Sequence, residues 1–151
     1  MLEIAIRLRN EIAAAAAATP GVEVCGLLLG AAARVERILP CRNVATDPAR
    51  RFEIDPAALI AAHRAGRAGG PRVIGHYHSH PTGVAAPSPR DAADAVADGS
   101  IWIIVAGREL TAWRAVAQGA LHGRFDALAL TQPGCATPGE RPQGGSAVSP
   151  R

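Results

Sequence analysis

Apolar positions fall along the chain in two kinds of run. In "RLRNEIAAAAAA" (7–18), Leu8 and Ile12 recur four apart among strong helix formers. Thr19-Pro20-Gly21 then stops the pattern, which predicts a first helix. The next runs are shorter and rich in Val, Leu and Ile. "VEVCGLLLG" (22–30) and "RVERILP" (34–40) read as two strands of a hairpin, and "RFEID" (51–55) as a third strand. Pro56 opens "PAALIAAHRAGRA", with Pro at the first helical position and Gly69-Gly70 beyond the end, which predicts a second helix.

The strand-like run "RVIGHYHS" (72–79) leads into a Pro/Gly-rich stretch. Ser88-Pro89 then begins a short helix expected to run through "RDAADAVAD" to Gly99. "IWIIVAG" (101–107) is apolar enough to be a strand buried on both faces, and "LTAWRAV" (110–116) and "ALHGRFDAL" (120–128) follow as strands. These elements predict an α/β (α+β) domain whose mixed, largely antiparallel sheet is flanked by helices. The domain is expected over residues 1–130. Large apolar residues then give way to Pro, Gly, Ser and Thr, so 131–151 is expected to be a disordered tail.

Composition narrows the class. A chain of 151 residues, 48% hydrophobic and 19% charged, suits one domain with an ordinary core. No apolar run approaches the roughly 20 residues of a membrane span, and the alanine tract lacks the basic leader of a secretion signal. A cytoplasmic protein with no membrane partner is therefore expected. Cys25, Cys41 and Cys135 form an odd set without CxxC spacing, which suggests neither a disulfide framework nor a cysteine-based zinc knuckle. The net charge of +3 comes from scattered Arg, and two Phe, two Trp and one Tyr offer little for stacking on bases, so no nucleic-acid partner is expected.

The candidate chemistry lies in "HYHSHPTGVAAPSPRD" (76–91). Residues two apart on a strand share a face, so His76, His78 and His80 project together while Tyr77 and Ser79 point the other way. Imidazole is a common zinc ligand, and Asp91, at the opening turn of the next helix, is the candidate to complete an open tetrahedral site. Hydrolysis at such a site also needs a proton shuttle. Glu23 fits, because it opens an apolar strand where a surface carboxylate has little reason to sit. Ser88 could donate to a developing oxyanion. Ser88-Pro89-Arg90-Asp91 equally reads as a helix cap, and one residue can serve as both cap and ligand.

Together, Glu23 in "EVCGLLLG", His78-x-His80-Pro81, six further residues, Ser88, two residues and Asp91 resemble the motif of the JAMM (MPN-plus, Mov34-like) metallopeptidases, over roughly residues 1–125. The resemblance implies a cytidine-deaminase-like MPN/JAMM fold and a zinc ion on His78, His80 and Asp91. It makes Glu23 the general acid/base and Ser88 the oxyanion support. It further implies hydrolysis of a peptide or isopeptide bond after the C-terminal Gly-Gly of a ubiquitin-like, sulfur-carrier type protein, as in short bacterial members. His76 lies outside that ligand set and is expected to pack beneath the site, and Cys25 is expected to be a buried small hydrophobe. The rivals are a catalytically silent MPN-type scaffold, opposed by the complete ligand set, and a DNA-repair-associated JAMM-like protein. A zinc deaminase would need a PCxxC-type pair that the sequence lacks.

Overall fold

The computed structural model describes residues 1–134. Its elements are β1 (Leu2–Ile4), α1 (Ile6–Ala18), β2 (Cys25–Ala31), β3 (Arg34–Cys41), α2 (Pro56–Arg67), β4 (Arg72–Ser79), α3 (Pro89–Asp94), β5 (Ile101–Ala106), β6 (Glu109–Gly119), β7 (Gly123–Leu128) and β8 (Leu130–Thr131). The strands form one sheet in the order β7-β6-β5-β4-β2-β3-β1-β8. Pairs β4–β5, β1–β3 and β1–β8 are parallel and the other pairs antiparallel, so the sheet is mixed and largely antiparallel, as expected. No described helix is long and apolar enough to cross a membrane.

The pleat sorts side chains between two layers. Tyr77, Ile103 and Ala112, neighbours across β4, β5 and β6, belong to a core that includes Leu8 and Ile12 of α1. Burying these two residues contributes about 1.5–3 kcal/mol each, which fastens α1 despite its lack of a side-chain N-cap. The opposite face carries Leu27, His76 and Trp102, also neighbours across the ladder. There α2 covers Leu27 and Leu29 through Ala62, and Trp102 packs with Ala95 and Phe125. The histidines of β4 thus lie on the face shared by α2 and α3, on a strand with partners on both sides.

Three expectations need correction. "RFEID" forms no strand, and only Ile54 bridges Asn43. The Asn43 side chain donates to the Arg51 carbonyl and accepts the Glu53 N–H, so these backbone groups are satisfied without a ladder. The helix expected to reach Gly99 ends at Asp94, with Ala95 extended at ψ 137°. Gly99, at φ +80°, and the Asp98 carboxylate accepting from Ser100 N–H turn the chain back into β5. The first residues, for which the patterning predicts no element, form β1, which pairs Leu2 with Leu130 and Glu3 with Thr131. Thr131 therefore lies in the sheet. The rest of the expected tail beyond Gly134, with Cys135, lies outside the described residues.

Close approach of β4 to β5 depends on Gly75. A Cβ there would lie 1.9 Å from the Ile101 carbonyl oxygen, a backbone atom that cannot withdraw without opening the parallel pair. Gly75→Ala should therefore lower unfolding stability by about 3 kcal/mol, at the upper end for overpacking, as measured by urea denaturation.

Candidate metal centre

Strand periodicity and a helix cap bring the site together. Cys25 pairs with His78, so two residues back along one strand and two forward along the other set Glu23 opposite His80. The bond from Ser79 N–H to the Val24 carbonyl, 3.0 Å, carries that register past the end of β2, which begins only at Cys25. Glu23 thus sits just ahead of the strand and shares the histidine face. Ser88 is the N-cap of α3, and its Oγ accepts Asp91 N–H at 3.1 Å. In return Ser88 N–H donates to Asp91 Oδ2 at 2.8 Å, completing a capping box.

The same Asp91 carboxylate faces both imidazoles. Oδ1 lies 3.4 Å from His78 Nε2, Oδ2 lies 3.3 Å from His80 Nε2, and the two Nε2 atoms are 3.1 Å apart. Ligands at about 2.0–2.2 Å around a tetrahedral ion stand roughly 3.3–3.5 Å from one another, so this triangle has the size that one ion requires. Among the described residues, His78, His80 and Asp91 are the group of His, Cys and acidic side chains able to hold a metal. His80 Nδ1–H donates to the Val84 carbonyl at 2.8 Å, which orients the ring with Nε2 toward the centre.

His78 is held differently. It is fully buried, its Nδ1 has no partner, and Phe52 stacks on its ring at 4.3 Å and 18°. Trp102 meets the same ring edge-on at 5.8 Å. Packing rather than a hydrogen bond therefore orients this ligand. In the sequence Phe52 belongs to a strand-like run, and its being one of only five Phe, Tyr and Trp residues is the one signal that sets it apart.

Burial opposes charge throughout the site. It raises the Glu23 carboxyl to about 7, against the attraction of His80 and Arg90 and with the help of Asp91. Burial also favours protonated Asp91, yet the hydrogen bonds with His78 and His80 and the Ser88 N–H outweigh it and hold the carboxyl far below the ordinary range. His76 packs on Trp102 at 4.2 Å, and burial followed by the nearness of His78 lowers it to about 3. It takes no part in the triangle. Cys25 is buried, and burial pushes its thiol up to about 12, in keeping with a packing role.

The loop between the two ligand-bearing elements is tied to the fold at three carbonyls. Val84 accepts from His80, Ala85 from the Thr111 hydroxyl, and Pro87 from His122 Nε2–H at 3.1 Å. Val84 itself is exposed at the rim.

Residues 6–116 match the family described as prokaryotic homologs of the JAB domain. The desampylase of Haloferax volcanii is 36% identical over 91 residues, covering 59% of this chain and 66% of that protein. A probable TtuB-protein conjugate cleaving protease of Thermus thermophilus is 44% identical over 61 residues, 40% of this chain and 41% of that one. The chain thus spans less than two thirds of the length of these curated relatives. A JAB1/MPN domain protein from Archaeoglobus fulgidus superposes with a TM-score of 0.54 at 20% identity, covering 86% of this chain and 97% of that one, a likeness of fold.

Chelator-free protein should carry about one metal ion per chain by elemental analysis. His78→Ala and Asp91→Asn should each carry almost none while remaining folded by circular dichroism.

Proposed function

The chain belongs to the prokaryotic homologs of the JAB domain, and from that premise we propose that it is a zinc-dependent metallopeptidase. Its reaction is hydrolysis of a peptide or isopeptide bond following the C-terminal Gly-Gly of a ubiquitin-like, sulfur-carrier type protein. The observation that carries this proposal is the donor triangle of His78, His80 and Asp91, with a buried carboxylate, Glu23, set opposite His80 by the strand register. Two nitrogens and one carboxylate in a tetrahedral arrangement with one position left open are the donor set of a catalytic zinc site. The relatives named for desampylation and for cleaving TtuB-protein conjugates support the substrate class.

His78 Nε2, His80 Nε2 and the Asp91 carboxylate would hold the zinc, which supplies Lewis-acid activation of water and of the scissile carbonyl. Glu23 takes a proton from the attacking water and returns it to the departing nitrogen. A carboxyl raised to about 7 both accepts and releases a proton near neutrality, as that shuttle demands. Ser88 Oγ accepts from Asp91 N–H, which leaves its own hydroxyl hydrogen free to donate to the substrate oxygen as charge develops. A Gly-Gly terminus suits a centre sunk among buried side chains, because it brings backbone without bulk.

Mass spectrometry of a carrier extended by a short peptide beyond Gly-Gly tests the proposal. Wild type should cut immediately after the second Gly, and a carrier with Val in its place should resist. Glu23→Gln should keep its zinc yet lose turnover by about 10² to 10⁴. Equal cutting of both carriers would overturn the Gly-Gly specificity, and undiminished turnover by Glu23→Gln would remove Glu23 from the chemistry.

Ser88→Ala separates two roles of one residue. Loss of the cap should cost about 1 kcal/mol in thermal or chemical denaturation. Loss of the donor should lower kcat by about 10² to 10³, measured per folded molecule.

A further inference from the structure

Glu23 lies ahead of the strand that carries it, where the ladder with β4 reaches only as far as the Val24 carbonyl. Further groups hold its backbone. Glu23 N–H donates to the Pro48 carbonyl at 2.7 Å. The peptide group that follows is gripped at both ends by side chains: its carbonyl accepts Asn43 Nδ2–H at 2.9 Å, and Val24 N–H donates to Ser79 Oγ at 2.9 Å. Asn43 spends its whole hydrogen-bonding capacity here. Its second Nδ2 hydrogen goes to the Arg51 carbonyl at 3.0 Å, and its Oδ1 accepts Ala45 N–H and Glu53 N–H, each at 3.0 Å. Arg51 and Glu53 flank Phe52, whose ring stacks on His78.

We propose that Asn43 is a positioning residue that sets Glu23 against the metal ligands and, through the backbone on either side of Phe52, seats the ring packed on His78. The proposal rests on the hydrolase function assigned above. Asn43 lies outside the Glu, His-x-His-Pro and Ser-x-x-Asp pattern and touches no reacting atom. Its effect comes from geometry: a carboxylate that must reach both the attacking water and the departing nitrogen tolerates little displacement, and a shift of about 1 Å can cost on the order of 10²-fold. Ser79, between the two histidine ligands and facing away from them, holds the other end of the same peptide group.

Asn43→Asp is the informative variant, because it keeps the acceptor for Ala45 and Glu53 N–H while removing the donation to the Glu23 and Arg51 carbonyls. With the extended carrier as substrate, kcat should fall by about 10- to 100-fold with KM changed by less than about twofold. Zinc should remain at about one per chain. In a Glu23→Gln background the same substitution should cause a several-fold smaller loss, since its effect on turnover passes chiefly through Glu23. Crystal structures of wild type and variant should show the Glu23 carboxylate displaced by about 1 Å with the three ligands in place. An unmoved carboxylate, an unchanged kcat, or an equal loss in both backgrounds would overturn the proposal. If wild type cuts no extended carrier, the functional reading fails, and the two structures still decide whether Asn43 places the carboxylate. Should Asn43→Asp not fold, Ser79→Ala releases the other end of the peptide group, with the same expected and overturning results.

Discussion

One carboxylate does two jobs at the centre of this structure. Asp91 closes the capping box of α3 through the Ser88 N–H and at the same time faces both imidazoles. Neither job is independent of the other. The cap fixes where the carboxylate can point, and the helix is only six residues long, so a single capping box accounts for much of its local definition. The rest of the site is arranged around that fixed point: the pleat of β4 brings two ring nitrogens to it, and the segment ahead of β2 brings a second carboxylate alongside.

The two carboxyls show how environment assigns roles to similar groups. Asp91 is buried among hydrogen-bond donors and stays ionised. Glu23 is equally buried, at 7% exposure for each, but burial outweighs the attraction of His80 and Arg90, and its carboxyl is raised to about 7. Desolvation acts on both. The number of donors converging on each one decides the outcome.

Much of this was legible in the sequence wherever the physics is local. The period of two in a strand puts His78 and His80 on one face whatever the partners of the strand are, and a Ser three residues before an Asp at a helix start has a known geometry. Leu8 and Ile12 marked the buried stripe of α1. What could not be read depends on distant partners. Two or three residues of β1 and β8 carry no periodicity, and they become strands only because Leu2 meets Leu130 across the whole length of the domain. "RFEID" has the composition of a strand, yet the amide of Asn43, eight to ten residues earlier, takes the backbone groups that a ladder would have used. A side chain competing with a sheet leaves no trace in hydrophobic patterning. The same limit hid the stacking of Phe52 on His78.

The three carbonyls that tie residues 84–87 to His80, Thr111 and His122 bear on how an ion would be captured. In small metal domains that are unfolded without their ion, the free energy of binding is largely consumed in ordering the chain. Here the connection between β4 and α3 is anchored to β6 and to the turn before β7 by hydrogen bonds of the protein's own. The order of the segment between His80 and Asp91 thus comes from contacts with the sheet, so the distance between these two side chains is inherited from the fold of β6 and the turn beside it.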